Sequence, residues 1–206
     1  MPFGYIGQNQ TKQQVKNSGV LSSFDISLLE KKGEASGSLE HIQTITASSS
    51  ATLSFTNLAN YNYDTHYMTL DNFQCTTSTT RYMLCKLSND NGSSYVGSGN
   101  HYDRAFRRVD TSGNKAAIFN TSQNDMSNFF SIDSDNRTSH GYVYFHNLLD
   151  SARYSSVTFQ SMNSVGDYVY FGGFTYKVAE VNNAFQLFLG GDAFATGTAK
   201  LYGLKK

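Results

Sequence analysis

From residue 39 onward the chain reads as short apolar or alternating runs, separated by turn-forming clusters roughly every 8 to 15 residues. Alternation of period two places successive side chains on opposite faces of a strand, so each run can turn one face to a core. Strands are predicted at 39–46, 51–56, 65–73, 81–87, 102–108, 115–120, 128–133, 141–147, 154–161, 167–174, 184–190 and 197–204. Between them, Asn91-Gly92, Ser112-Gly113-Asn114, Val165-Gly166-Asp167 and Gly190-Gly191-Asp192 supply residues that accept positive φ, as tight turns require. The expectation is an all-β domain over 39–206, an antiparallel, jelly-roll-like β-sandwich. In GYVYFHN, Tyr142 and Tyr144 fall on one face and Val143 and Phe145 on the other. That suits a strand covered on both sides or lying at a subunit interface. The run DYVYFGGF repeats the logic, with Val169 and Phe171 opposite Tyr168 and Tyr170.

Residues 1–38 differ in character. They hold the only proline, Pro2, are rich in Gln and Asn, and show no alternation. This is the composition of an extended N-terminal arm. Within it, SSFDISLLEKKG predicts one short helix: Ser23 or Asp25 serves as cap, Ser27 and Glu30 have capping-box spacing, and Lys31 and Lys32 precede a stopping Gly33. Phe24, Ile26, Leu28 and Leu29 are too many apolar residues for two helical turns standing alone in water, so they are expected to dock on a partner surface. Phe3, Tyr5, Ile6, Val20 and Leu21 extend that surface, and each side chain fully covered contributes roughly 1.5 to 3 kcal/mol.

Composition narrows the functional classes. Ser, Thr, Asn and Gly make up more than a third of the chain, and Phe (15) and Tyr (14) supply the aromatic bulk without any Trp, which disfavours a helical bundle. Sixteen basic and sixteen acidic residues cancel, with no block of like charge, so nucleic acid is not an expected partner. The nearest basic cluster, Arg104, Arg107 and Arg108, reads as a solvated strand face before it reads as an anion site. The N-terminus lacks the charged and apolar regions of a secretory signal or a membrane span, so no membrane insertion is expected. Cys75 and Cys85 either face each other across a hairpin or are two free thiols; a chain this poor in Cys favours the second reading.

No catalytic motif is present. The five histidines, His41, His66, His101, His140 and His146, belong to no nucleophile or zinc pattern, and His66 and His146 read as half-exposed or hydrogen-bonded strand residues. Asp133, Asp135 and Asn136, and Asp90 with Asn89 and Asn91, resemble fragments of calcium loops but complete none, and are read as turn formers. No cofactor or metal is expected. Tyr61, Tyr63, Tyr67, Tyr95 and Tyr102, at or beside predicted loops and mixed with Asn and Asp, are candidate ligand-facing side chains, because a flat apolar ring beside polar hydrogen-bonding groups suits a host-surface glycan or a protein.

The opening PFGYIGQNQTKQQVKNSGVLSSFDISLLEKKGEASGSLEHI and the closing FGGFTYKVAEVNNAFQLFLGGDAFATGTAKLYGLKK resemble the two ends of a group of structural proteins encoded by marine tailed phages. In that group a PFGYIGQNQ-type start, a GVLSSFDI-type segment and a terminal G-T-x-K-L-Y-G pattern recur around a variable β-rich centre. The resemblance implies a non-enzymatic virion component, such as a capsid decoration or cement protein, a head fibre or a tail-fibre-like appendage. Such a protein is assembled in the host cytoplasm and displayed on the virion surface. It implies docking to the major capsid protein or other virion proteins through the arm, and a homo-oligomer, with trimers the commonest arrangement. A carbohydrate-binding receptor module and a glycan-degrading enzyme are the alternatives.

Overall fold

The computed structural model describes residues 39–134, 138–163 and 168–204. The predicted helix, all nine apolar arm residues, Asp135 and the 165–167 turn lie outside them. The chain divides into two units, Met1–Glu40 and His41–Lys206, and the second is an antiparallel β-sandwich. Its strands are β1 (Leu39–Ser50), β2 (Thr52–Phe55), β3 (Thr65–Cys75), β4 (Arg81–Ser88), β5 (Tyr102–Val109), β6 (Lys115–Gln123), β7 (Met126–Ile132), β8 (Ser139–His146), β9 (Tyr154–Asn163), β10 (Tyr168–Ala179), β11 (Ala184–Leu189) and β12 (Phe194–Leu204). Each predicted run overlaps one of them.

Eight strands form a large sheet in the order β1-β12-β3-β8-β9-β10-β5-β6, and four form a small one, β2-β11-β4-β7. The chain crosses repeatedly between the two, as in a jelly roll, because the core lies between the sheets and each crossing buries another apolar row. Phe145 of the large sheet stacks on Phe185 of the small one at 4.4 Å, and Phe185 stacks on Phe55 at 4.8 Å. Phe106, Phe129, Phe159 and Phe174 form a second cluster. The crossing from β3 to β4 is fastened by the buried carboxylate of Asp192, which accepts hydrogen bonds from Thr76, Thr77, Arg81 and the Ala193 N–H. Burial alone would raise its pKa; these donors outweigh burial and hold it well below the usual carboxylate range.

Cys75 and Cys85 stand in different sheets and are buried free thiols, the reading that the Cys-poor composition favoured over a pair across a hairpin. Other expectations are corrected. The three arginines do not share a face, because 104 and 108 have the opposite parity to 107 on β5. Arg107 is exposed on the outer side, whereas half-buried Arg104 donates to Asn120 and to the Ser127 carbonyl, and Arg108 lies over the Tyr168 ring.

His66 is neither half-exposed nor hydrogen-bonded. It is fully buried between the register partners Gly203 and Phe145, with the Tyr63 ring set edge-on at 6.1 Å, and neither ring nitrogen has a partner. Without a partner to replace water, protonation there is costly, and burial lowers its pKa from 6.5 to about 4. The unfolded chain takes up a proton below pH 6.5 that the folded chain resists until about pH 4. Stability is therefore fully present above pH 6.5 and declines as pH falls through this window, with a total loss on the order of 3 kcal/mol. His146, whose pKa burial also lowers, adds to the same trend. Urea denaturation between pH 7.5 and 4.5 should show this decline, and His66→Leu should flatten most of it; an unchanged slope in the variant would remove His66 as its source.

Candidate functional site

The side of the large sheet that does not face the small sheet carries every second residue of its strands, and among the described residues no other element lies across it. On β8, Val143 and Phe145 point into the core, so Tyr142 and Tyr144 must point out. Among the described residues the strand is thus central in its sheet and covered on one side only, which departs from two-sided covering but not from the other expectation, a strand at a subunit interface. Pairing then assembles tyrosines from three strands: Tyr202 of β12 is opposite Tyr67 of β3, and Tyr67 is opposite Tyr144 of β8. Tyr67 sits at the centre, with ring centroids 4.8 Å from Tyr144, 6.2 Å from Tyr142 and 6.2 Å from Tyr202. His146 lies parallel to Tyr144 at 6.2 Å, and His41 meets Tyr202 edge-on at 5.6 Å.

Polar groups border the rings. The Tyr142 hydroxyl donates to Gln160 Oε1 at 2.9 Å, and the Thr69 hydroxyl donates to Asp71 Oδ2 at 3.3 Å. Thr69, Asp71, His140, Tyr142, Gln160 and Met162 line a shallow depression of about 340 Å³. Burial, and then the adjacent Tyr144 and Tyr142 phenols and the Asp71 carboxylate, raise the Tyr67 pKa, which favours its neutral hydroxyl form.

Across the sheet, β9, β10 and β5 place Thr158, Gly173 and Ala105 side by side as the floor of a second depression of about 570 Å³, with Phe119 of β6 at its far wall. Gly173 has no room for a side chain, since a Cβ there would lie 2.7 Å from the Val157 carbonyl oxygen. Phe119 is 73% exposed. The two carboxylates that strands β12 through β6 turn outward are Asp71 on β3 and Asp103 on β5, four strand spacings apart, or roughly 19 Å. Glycoside hydrolysis uses carboxylates roughly 5 to 10 Å apart, so these two do not form such a pair. Asp103 is instead held by Lys177 at 2.9 Å and by the Ser122 N–H, which keep its pKa below the ordinary value.

The five tyrosines singled out from the sequence do not converge. Tyr61 and Tyr63 stack on each other at 6.4 Å in the loop before β3, and Tyr95 lies in the β4–β5 loop. Tyr102 is not a loop residue: it begins β5, is buried, and its hydroxyl accepts from the Leu87 N–H at 3.0 Å and donates to the Val96 carbonyl. Only Tyr67 joins a surface cluster. Its companions Tyr142, Tyr144 and Tyr202 were legible as strand residues, and parity alone gave the signal that Tyr142 and Tyr144 share a face. Asp90 behaves as a turn former: its carboxylate accepts from Ser94 and Ser88, which lower its pKa to about 2. Among the described residues no three His, Cys, Asp or Glu side chains come together as a metal site, and no helix is long and apolar enough to cross a membrane.

No protein-family model matches the chain, and no curated protein does. Among solved structures, a marine PL-14 alginate lyase from Aplysia kurodai aligns at a TM-score of 0.34 and 9% identity over 74% of this chain and 72% of the lyase. The CBM2 module of the evolved Dit protein of Lactobacillus casei BL23 phage J-1 aligns at a TM-score of 0.25 and 10% identity, over 83% of this chain and 81% of the module. Likeness at this level assigns no function.

The geometry separates structural from surface tyrosines. Tyr102→Phe leaves the Leu87 N–H and the Val96 carbonyl short of a buried partner and should cost about 1 to 3 kcal/mol. Tyr142→Ala, on the outer face, should cost about 1 kcal/mol or less. Urea unfolding of both variants checks the order, and a larger loss for Tyr142→Ala would contradict the assignment of faces.

Proposed function

We propose that this chain is a non-catalytic, carbohydrate-binding component of a virion surface, in which the outer face of the large sheet takes a glycan and residues 1–38 dock to other virion proteins. The observation that carries the glycan reading is the contact of Tyr67 with three further tyrosines on a sheet face that no other element covers among the described residues. Flat rings offer the apolar faces of sugars a platform, and the neighbouring Gln160, Thr69, Asp71 and Lys200 supply hydrogen-bond donors and acceptors for hydroxyl groups. A protein-binding core would be expected to be drier and more apolar than this mixture. The virion reading is supported by the likeness of both chain ends to phage structural proteins and by the apolar load of the arm. Display of many copies on a symmetric particle would raise a weak single-site affinity by avidity.

A glycan array probed with the full chain should give positive spots that Tyr67→Ala and Tyr144→Ala reduce about tenfold or more, with Tm nearly unchanged. No signal from any glycan would sink the carbohydrate reading. Independently, the chain lacking residues 1–38 should fold and fail to bind particles that the full chain decorates. Full binding by the shortened chain would refute docking through the arm.

A further inference from the structure

The outer face holds more than a tyrosine cluster. One row of outward residues runs in unbroken register from β12 to β6: Tyr202 is opposite Tyr67, Tyr67 opposite Tyr144, Tyr144 opposite Thr158, Thr158 opposite Gly173, Gly173 opposite Ala105, and Ala105 opposite Phe119. Aromatic rings stand at both ends and the three smallest side chains lie between them. Seven strands at about 4.8 Å spacing make this track up to roughly 29 Å long, several times the width of one sugar ring.

From this row we infer that the ligand of the proposed site is a linear, uncharged polysaccharide lying across the strands, with the tyrosine cluster and Phe119 as separate stacking subsites joined by the Thr158-Gly173-Ala105 floor. The inference rests on the carbohydrate reading and adds to it the class of ligand. A terminal sugar would occupy the tyrosines alone and leave Phe119, 73% exposed on a strand surface, without a role. Thr158, Gly173 and Ala105 continue the row without a break between Tyr144 and Phe119, so a chain can lie across them from one aromatic end to the other. Polar groups line the row on both sides: Ser156, Thr175 and Asp103 on one, Gln160 and Arg107 on the other. The outward cations nearest the row, Lys200 and Arg107, stand five strand spacings apart, roughly 24 Å, with Thr69, Tyr142, Gln160 and Phe171 between them. Recognition along the row is therefore by ring stacking and hydroxyl hydrogen bonds, not by a series of ion pairs.

The test is affinity electrophoresis of the full chain through gels containing neutral linear polysaccharides (xylan, mannan, laminarin, agarose), followed by competition with oligomers, from disaccharide to hexasaccharide, of whichever polymer retards it. Retardation is expected, with hexasaccharide competing at least about tenfold better than disaccharide. Phe119→Ala should weaken the hexasaccharide about tenfold and leave the shortest competitors unchanged, whereas Tyr144→Ala should weaken all lengths. Equal competition by all lengths, or no effect of Phe119→Ala, overturns the extended ligand while leaving a glycan site at the tyrosines. So does array binding to branched or acidic glycans with no retardation by any neutral polymer. Silence in both assays removes the carbohydrate reading itself. Light scattering on Phe119→Ala covers the remaining occupant: loss of an oligomer with unchanged hexasaccharide affinity would assign Phe119 to a contact between copies and overturn its role here.

Discussion

The pleat of the large sheet is the constraint on which the rest depends. Because successive side chains on a strand point in opposite directions, the choice of Val143 and Phe145 for the core of β8 commits Tyr142 and Tyr144 to the other side. The same rule acts on each neighbour in turn. Fixing which residues meet the phenylalanine layer between the sheets also fixes which residues form the outer surface. A slip of one residue on any strand would bury hydroxyl groups and expose rings of the core, so the packing of Phe145, Phe185 and Phe55 holds the outer row in register as firmly as it holds the core.

The repeated tetrapeptide YVYF shows how tertiary context uses this rule. On β8 it presents both tyrosines outward. On β10 the identical run is turned over: Tyr170 is buried beside Arg108 and Ser131, and Phe171 is 44% exposed. Local propensity is the same in the two places. What differs is the phase of the pairing, since the tyrosines Tyr142 and Tyr168 do not fall on corresponding rows of β9: Tyr142 is opposite Gln160, which points out, whereas Tyr168 is opposite Asn163, which points in.

This explains what could and could not be read from the sequence. Strand positions were legible because alternation and turn residues are local; all twelve predicted runs overlap observed strands, and Asn91 and Gly92 take the positive φ values, 59° and 87°, that their turn requires. The face of an individual strand was half legible, as the pairing of Tyr142 with Tyr144 illustrates. The assembled surface was not, because Tyr67, Tyr144 and Tyr202 are separated by long stretches of chain and meet only through a strand order that no local signal encodes. Loop proximity was a misleading guide for Tyr102, whose hydroxyl satisfies backbone groups of the β4–β5 connection and so belongs to the core despite its position at the start of a strand. His66 misled in the other direction: a polar residue in a strand was expected to find water or a partner, and the sheet gave it neither.

Outer and inner rows also differ in how freely they can change. The tyrosines and Phe119 project from the sheet, so replacing them alters the surface with little disturbance of the layer beneath. Gly173 is the exception on this face, because any side chain there would press on the Val157 carbonyl and force β9 and β10 apart. The depression between the aromatic ends is therefore a product of backbone packing, while the aromatic ends are products of side-chain choice. A face built this way keeps its trough whenever the sandwich folds, and its rings are the part that can be retuned to a different ligand.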